Sequence, residues 1–261
     1  MQLLKIFFIL ALPLFLFSKV QIVTYFPLET NIIKKIAHKE AFSKEITGRF
    51  TTEYKKLTRS ELSRLANSKV YFHFGLDVEK QYVAILKEAN PNIQIIDLSK
   101  DIEKIDGNPY FWTDPFALRA VAKTIYETFV QLDKRKEDFY KKNYESFLDE
   151  IDNTFLRIKE KLNGSENTSV YAFDDYWDYF AKRFVIDIIK KDKKYLDISK
   201  ISSQIEFTNE KNIKKILYYG GMDYNIALSY SNNLHIKIIE NDIFADIWPI
   251  SILNFSQELF R

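Results

Sequence analysis

The chain of 261 residues contains no cysteine. Disulfide bonds, cysteine zinc sites, a thiol nucleophile and a lipid-modified cysteine are therefore excluded. Glycine and proline are scarce, with six of each, which argues against collagen-like or linker-rich architectures and favours long helices. Charge of one sign is not in excess either, because 38 basic and 36 acidic side chains nearly cancel. Nucleic-acid binding therefore lacks its usual electrostatic basis, and no nucleic-acid partner is expected.

The residues that are present describe a folded protein. Hydrophobic residues make up 46% of the chain and charged residues 28%, as in ordinary globular proteins and unlike disordered or polytopic membrane proteins. The length permits one large domain or two lobes of roughly 100 to 130 residues each.

The N-terminus has the pattern of a secretory signal. Lys5 precedes an apolar run of 12 residues, Ile6–Phe17, which fits a signal peptide and is shorter than the ~18 residues needed to span a bilayer. Ser18 is a small residue suited to the position before a cleavage point. We predict a signal peptide over residues 1–18 and an exported protein, with an uncleaved membrane anchor as the alternative.

From Val20 onward, short β-branched or aromatic runs alternate with helical stretches, which is typical of βα units around a mostly parallel sheet. Helices are predicted at Asn31–Ala37, at Glu61–Asn67 and from Pro115 to about Leu132, where Asp114 supplies an N-cap. The predicted strands are Gln21–Thr24, Lys69–Phe74, Ile93–Leu98, Ser169–Phe173, Ile216–Tyr219 and Ile236–Ile239.

A segment without glycine or proline extends from Lys134 to Leu162. Its apolar residues recur every three or four positions and predict one long helix with a single buried stripe. They are Tyr140, Tyr144, Phe147, Ile151, Phe155, Ile158 and Leu162. We therefore predict an α/β protein of two αβ lobes, residues 19–133 and 164–261, joined by one long backbone helix at 134–163.

Several short strings, in order along nearly the whole chain after the signal, resemble the periplasmic zinc/manganese substrate-binding proteins of ABC importers. The most specific is NPYFWTDP at Asn108–Pro115, which is similar to the family's DPHxWxDP box. The other strings are Val23–Leu28, Val70–Glu79, Ile96–Ser99, Asn143 in the long helix, and DDYWDYF at Asp174–Phe180.

The resemblance implies that a metal ion is held between the two lobes by side chains at loop ends. The family's first ligand histidine falls near Glu53, with Thr52 as the alternative register. Its second falls on Tyr110. The resemblance also implies delivery to an ABC permease in the inner membrane by a monomer whose long helix permits only small loop rearrangements.

The family's third ligand histidine falls on Asp174, beside Asp175. Its last ligand, a carboxylate, falls on Asp242, close to Glu240. The predicted metal ligands, Glu53, Tyr110, Asp174 and Asp242, thus contain no histidine. An all-oxygen set of this kind suits manganese or iron better than zinc, whose sites usually include imidazole or thiolate.

Each predicted ligand also has a structural interpretation. Tyr110 is a candidate for aromatic packing, Asp174 for capping a helix, Glu53 for a solvated charge, and Asp242 for an exposed acidic loop. On these interpretations the fold would serve a non-metal ligand or an exported interaction protein. An enzyme is not expected, because no nucleophile elbow, glycine-rich phosphate loop or histidine dyad is present.

Overall fold

The computed structural model describes residues 19–163, 169–191, 196–220 and 224–261. The predicted signal peptide and the first five residues of the predicted second lobe, 164–168, lie outside these ranges. Within them, no helix is both long enough and apolar enough to cross a bilayer.

The N-terminal lobe contains a parallel sheet in the order β2-β1-β3-β4. Helices pack around this sheet, and its strands are fully buried at their centre, where Val23 and Phe72 are inaccessible to solvent. The strands are β1 (Val20–Thr24), β2 (Ala41–Glu45), β3 (Val70–His73) and β4 (Gln94–Asp97). The helices are α1 (Pro27–Ala37), α2 (Arg59–Leu65), α3 (Asp77–Ala89) and α4 (Pro115–Leu132).

The C-terminal lobe repeats this arrangement with a parallel sheet in the order β6-β5-β7-β8. Helix α5 (Glu137–Asn163) comes between the two sheets in the chain and packs against α1 and α4 of the first lobe and against the C-terminal helix. The strands are β5 (Val170–Ala172), β6 (Ile188–Lys190), β7 (Lys215–Tyr218) and β8 (Lys237–Glu240). The helices are α6 (Asp178–Phe184), α7 (Ile201–Glu210), α8 (Tyr224–Leu234) and α9 (Trp248–Leu259).

The predicted fold class is confirmed, and each of the six predicted strands overlaps an observed one. The strands β2 and β6 were not predicted. Both lie at a sheet edge, where one side of the strand needs no partner. β2 reads Ala-Phe-Ser-Lys-Glu and β6 has three residues, so neither carries the apolar run of a central strand. The lobe boundaries at 133/134 and 163/164 stay predictions.

The start of α4 joins the two lobes. The Asp114 carboxylate accepts a hydrogen bond from the Phe116 amide at 2.9 Å, as predicted for an N-cap. The same carboxylate receives two hydrogen bonds from the Arg183 guanidinium of α6, each 2.7 Å long. Asp114 is buried, with only 8% of it exposed, while Arg183 lies at the surface. The bidentate pair fixes α6 against the first lobe.

Replacing Asp114 by alanine should lower the free energy of unfolding by about 2 kcal/mol, because it removes both the helix cap and the bidentate hydrogen bonds from Arg183. Urea denaturation measures the change. The control is Asp152→Ala, which breaks the more exposed ion pair with Arg119 and should cost less than about 1 kcal/mol. Equal losses in the two variants would show that the Asp114 pair has no special role.

Candidate functional site between the lobes

The crevice between the lobes lies at the carboxyl ends of strands from both sheets. It opens into a cavity of about 510 Å³. On one side the cavity is lined by residues 49–51, which follow β2. On the other side it is lined by residues 219–220, which follow β7, and by residues 240–242 and 244–246 at and after the end of β8. Loops at the ends of parallel strands are the usual place for ligand binding in such sheets.

An aromatic cluster fills the interior of the crevice. At its centre the ring of Phe244 stacks on Phe50 with 3.5 Å between ring centroids and an interplanar angle of 4°. Five further rings lie around Phe244 with centroids between 5.5 and 6.2 Å away. They belong to Phe26, Tyr110, Trp112, Tyr176 and Tyr219. Residues of both lobes thus pack on one side chain, and edge-to-face contacts of this kind are favourable.

Two tryptophans add hydrogen bonds between the lobes. The indole N–H of Trp112 donates to the Ile243 carbonyl at 2.9 Å, and that of Trp248 donates to the Trp112 carbonyl at 2.7 Å. Trp112 belongs to the NPYFWTDP box, and all but 1% of it is buried. The NPYFWTDP box therefore attaches the turn before α4 to the loop after β8.

Among the predicted ligands, Tyr110 lies inside the crevice. Its ring contacts that of Tyr176, with 4.6 Å between centroids. Burial, and then the negative charges of Asp175 and Asp174, raise the pKa of the Tyr110 hydroxyl to about 12. Tyr110 is therefore a neutral phenol in a negatively charged part of the crevice when no cation is bound.

Asp174 lies at the end of β5, close enough to affect the pKa of Tyr110. Its carboxylate accepts the Tyr176 amide hydrogen at 3.1 Å, so it closes a turn two residues long. The interpretation of Asp174 as a cap of the following helix is not what the structure shows, because α6 begins at Asp178 after Trp177.

Asp242 lines the cavity and accepts the Phe244 amide hydrogen at 2.8 Å. The residue is exposed at the mouth of the crevice. Surrounding protein atoms nevertheless reduce its hydration, and this, together with the charge of Asp246, raises the pKa of its carboxyl. Asp242 in turn contributes to a raised pKa of the Tyr219 hydroxyl, after the larger effect of burial.

Glu53 is placed differently. It is exposed on the segment between β2 and α2, and so is the alternative Thr52. The Glu53 amide donates to the Thr51 hydroxyl at 3.1 Å. Thr51 lines the cavity but Glu53 does not.

The predicted ligands therefore do not form one acidic cluster. Within the described ranges, no three side chains of His, Cys, Asp or Glu are close enough to hold a metal ion together. Tyr110 and Asp174 are brought near each other. The ring of Tyr176 contacts those of Tyr110 and Tyr219, and Tyr219 is near enough to Asp242 for its charge to raise the Tyr219 pKa. Glu53 takes no part in this chain of contacts.

Sequence reasoning missed the residues that occupy the crevice, Phe50, Tyr176, Tyr219 and Phe244. Tyr176 belongs to the string DDYWDYF but was not predicted as a site residue. Tyr219 was predicted as the last residue of a strand, whereas β7 ends at Tyr218. Phe50 and Phe244 follow strands at the crevice edge and carry no sequence signal that separates them from the other 20 phenylalanines.

Behind the crevice, two fully buried glutamates connect the ends of β1 and β3. Glu29 accepts the amide hydrogens of Tyr25 at 2.5 Å and Phe74 at 3.1 Å. Glu79 accepts that of Leu76 at 2.7 Å. Burial raises the pKa of both carboxyls, and the charge of Glu79 and its hydrogen bond with Glu29 raise the pKa of Glu29 further. The pair therefore retains a proton that free glutamates would lose.

The turn after β3 requires glycine at position 75. Its φ of +84° lies in the left-handed region, and a Cβ atom there would approach the Ser99 hydroxyl to 2.6 Å. The Gly75 amide donates to Nδ1 of the buried His73 at 3.0 Å. Gly75 and Glu79, two residues of the string that resembles the family, thus shape the loop behind the crevice.

Two lobes of parallel sheet, a helix between them and a crevice at the strand ends define the class of two-lobed solute-binding proteins. The sequence model of one family, described as zinc-uptake complex component A, periplasmic, matches residues 22–241. The chain belongs to this family, which is one of solute-binding proteins rather than enzymes.

Solved structures share the fold at low sequence identity. A crystal structure of a zinc-uptake component A superimposes with a TM-score of 0.80 and 19% identity, covering 93% of this chain and 98% of that one. A cadmium-bound periplasmic metal-binding protein from Candidatus Liberibacter asiaticus gives 0.78 and 15%, with the same coverage. The zinc-bound domain of AdcA from Streptococcus pneumoniae gives 0.76 and 13%, again over 93% and 98%. No curated protein matches the chain.

The buried glutamate pair predicts a pH-dependent stability. Both pKa values are raised in the folded state, so the unfolded chain loses protons above about pH 4.5 while the folded chain keeps at least one. The contribution of this pair to the unfolding free energy is therefore fully present below about pH 4.5. It should fall by up to about 1.4 kcal/mol per pH unit for each retained proton as the pH rises towards the folded pKa. Urea denaturation between pH 5 and 8 measures this slope.

Glu79→Gln should flatten the slope, because the amide can donate to Glu29 without a titrating proton. Glu88→Gln, an exposed glutamate on the same helix α3, is the matched control and should leave the slope unchanged. Identical slopes in the wild type and both variants would contradict proton retention by the pair.

Proposed function

We propose that the chain is the periplasmic solute-binding protein of a metal-ion ABC importer. It captures a metal cation in the crevice between the lobes and delivers it to a permease in the inner membrane. The observation that carries the proposal is the set of oxygen donors at the crevice, Tyr110, Asp174 and Asp242, in a chain that belongs to a zinc-uptake family.

The electrostatics of the crevice favour a cation. The carboxylates of Asp174 and Asp175 raise the pKa of Tyr110, while Glu240, Asp242 and Asp246 line the neighbouring cavity. Among the described residues that line this cavity, Arg49 is the one with a basic side chain. A bound cation would offset the electrostatic repulsion between these negative charges.

The donor set favours manganese or iron over zinc. None of the three histidines lines the crevice cavity. His38 and His235 are exposed, and His73 is buried within β3. Without imidazole or thiolate, the remaining oxygen donors suit harder cations. Glu53 remains the fourth predicted ligand, although it must move from its exposed position to reach the others.

Ligand capture by local loop movement fits the contacts between the lobes. The Asp114–Arg183 pair and the hydrogen bonds of Trp112 and Trp248 oppose a wide separation of the lobes. The carboxylates of Asp174 and Asp242 each accept a backbone amide hydrogen within a short turn that follows a strand. These turns are the parts that rearrange when the carboxylates approach a cation.

We also propose that the protein acts as a monomer.

Thermal melts of the purified protein test the metal proposal. Manganese or iron at about 100 times its Kd should raise the Tm by roughly 5–10 °C over the chelator-treated protein, and zinc or calcium by less. Tyr110→Phe and Asp174→Asn should reduce this shift because each removes a ligand. Asp77→Asn, whose parent carboxylate is 97% exposed on α3, is the control and should keep the full shift.

The metal-dependent Tm shift also tests whether Glu53 is a ligand. A reduced metal shift in Glu53→Gln would place this side chain among the ligands despite its exposed position. The absence of a shift with any metal in the wild type would refute the metal-binding function.

A second candidate ligand is a small organic cation. The cavity of about 510 Å³ lies within the usual size range of small-molecule sites. Its lining combines the rings of Phe50, Tyr219 and Phe244 with carboxylates, and aromatic faces with negative charge bind quaternary or protonated amines. A Tm increase with choline or a polyamine, and none with metals, would favour this function.

A further inference from the structure

Three tyrosines reach the crevice from three separate parts of the chain. Tyr110 precedes the short turn of 3-10 helix at Phe111–Thr113, Tyr176 follows β5, and Tyr219 follows β7. Tyr176 lies between the other two, with ring centroids 4.6 Å from Tyr110 and 5.2 Å from Tyr219. The fold therefore assembles three phenols that are distant in sequence.

Their hydroxyl groups, as well as their rings, lie near one another. Burial is the main cause of the raised pKa of the Tyr176 hydroxyl, and the nearby Tyr110 contributes to it. Tyr219 is close enough to contribute to the raised pKa of both. The phenolic oxygens therefore share one region of the crevice.

Aromatic packing alone does not require these hydroxyls. Phe50 and Phe244 pack in the same cluster without them. Removing a hydroxyl group from water costs free energy unless its hydrogen bonds are replaced, and all three tyrosines are half-buried. Three phenols beside the carboxylates of Asp174 and Asp242 form a concentrated set of hard oxygen donors.

We infer that the cation proposed above is ferric iron, held by the phenolic oxygens of Tyr110, Tyr176 and Tyr219 together with the carboxylates of Asp174 and Asp242. This inference rests on the metal-ion function. A trivalent hard cation matches anionic oxygen donors better than a divalent one does, and phenolate is an established ligand of iron in proteins. Each tyrosine that binds the metal exchanges its phenolic proton for the iron–oxygen bond and releases that proton to solvent.

Titration with ferric citrate and visible absorption spectroscopy tests the inference. Phenolate bound to ferric iron gives a ligand-to-metal charge-transfer band in the visible region, which manganese(II) and zinc do not give. We expect the band in the wild type, and a weaker band with at least a tenfold loss of affinity in Tyr176→Phe and in Tyr219→Phe. Phenylalanine keeps the ring contacts, and circular dichroism checks that each variant is folded.

Tyr126→Phe is the matched control. Tyr126 stacks on Tyr144 between α4 and α5, with 5.0 Å between centroids, outside the crevice. Its replacement should leave the band and the affinity unchanged. Resonance Raman spectra of the iron-loaded wild type should show enhanced tyrosinate modes, which tests the assignment without any substitution.

The outcomes separate the two proposals. No band with iron, together with a Tm increase by manganese or another divalent metal, would overturn the tyrosine site and leave the metal-ion function in place. No stabilisation by any metal would overturn both. A band that persists unchanged in Tyr176→Phe and Tyr219→Phe would show that these two side chains are not ligands.

Discussion

Phe244 connects the two halves of this protein. Its ring stacks on Phe50 of the first lobe, and the rings of Tyr176 and Tyr219 of the second lobe lie against it. The neighbouring Ile243 carbonyl accepts the Trp112 indole hydrogen. Because residues of both lobes bury their rings on this one side chain, the position of the loop after β8 fixes the width of the crevice.

The contacts between the lobes limit how far the crevice can open for a ligand. A crevice held by aromatic contacts, the Asp114–Arg183 pair and the packing of α5 against both lobes resists hinge opening. On the proposed function, changes on binding occur in the short turns at Asp174 and Asp242, whose carboxylates follow the strand ends. The family's fold is retained while tyrosine and aspartate stand at the positions where the resemblance places histidine.

The fold was largely predictable because it depends on repeating patterns. The apolar stripe of α5 and the Asp114–Pro115 start of α4 are local signals, and both were confirmed. The start of α1 was placed four residues late, since Phe26 provides no side-chain cap and only Pro27 marks the helix start. The site was less predictable. Glu53 was assigned by alignment with a motif, while the contacts of Tyr176, Tyr219 and Phe244 depend on how the two lobes pack, which no local pattern encodes.

Metal binding in the crevice is tested most directly by a crystal structure of the protein soaked with iron or manganese, with anomalous diffraction recorded at the metal absorption edge. We expect one strong anomalous peak inside the crevice, within bonding distance of Tyr110 and of the carboxylates of Asp174 and Asp242. A crevice that keeps its aromatic cluster closed and shows no peak, or a peak only on the outer surface, would contradict it.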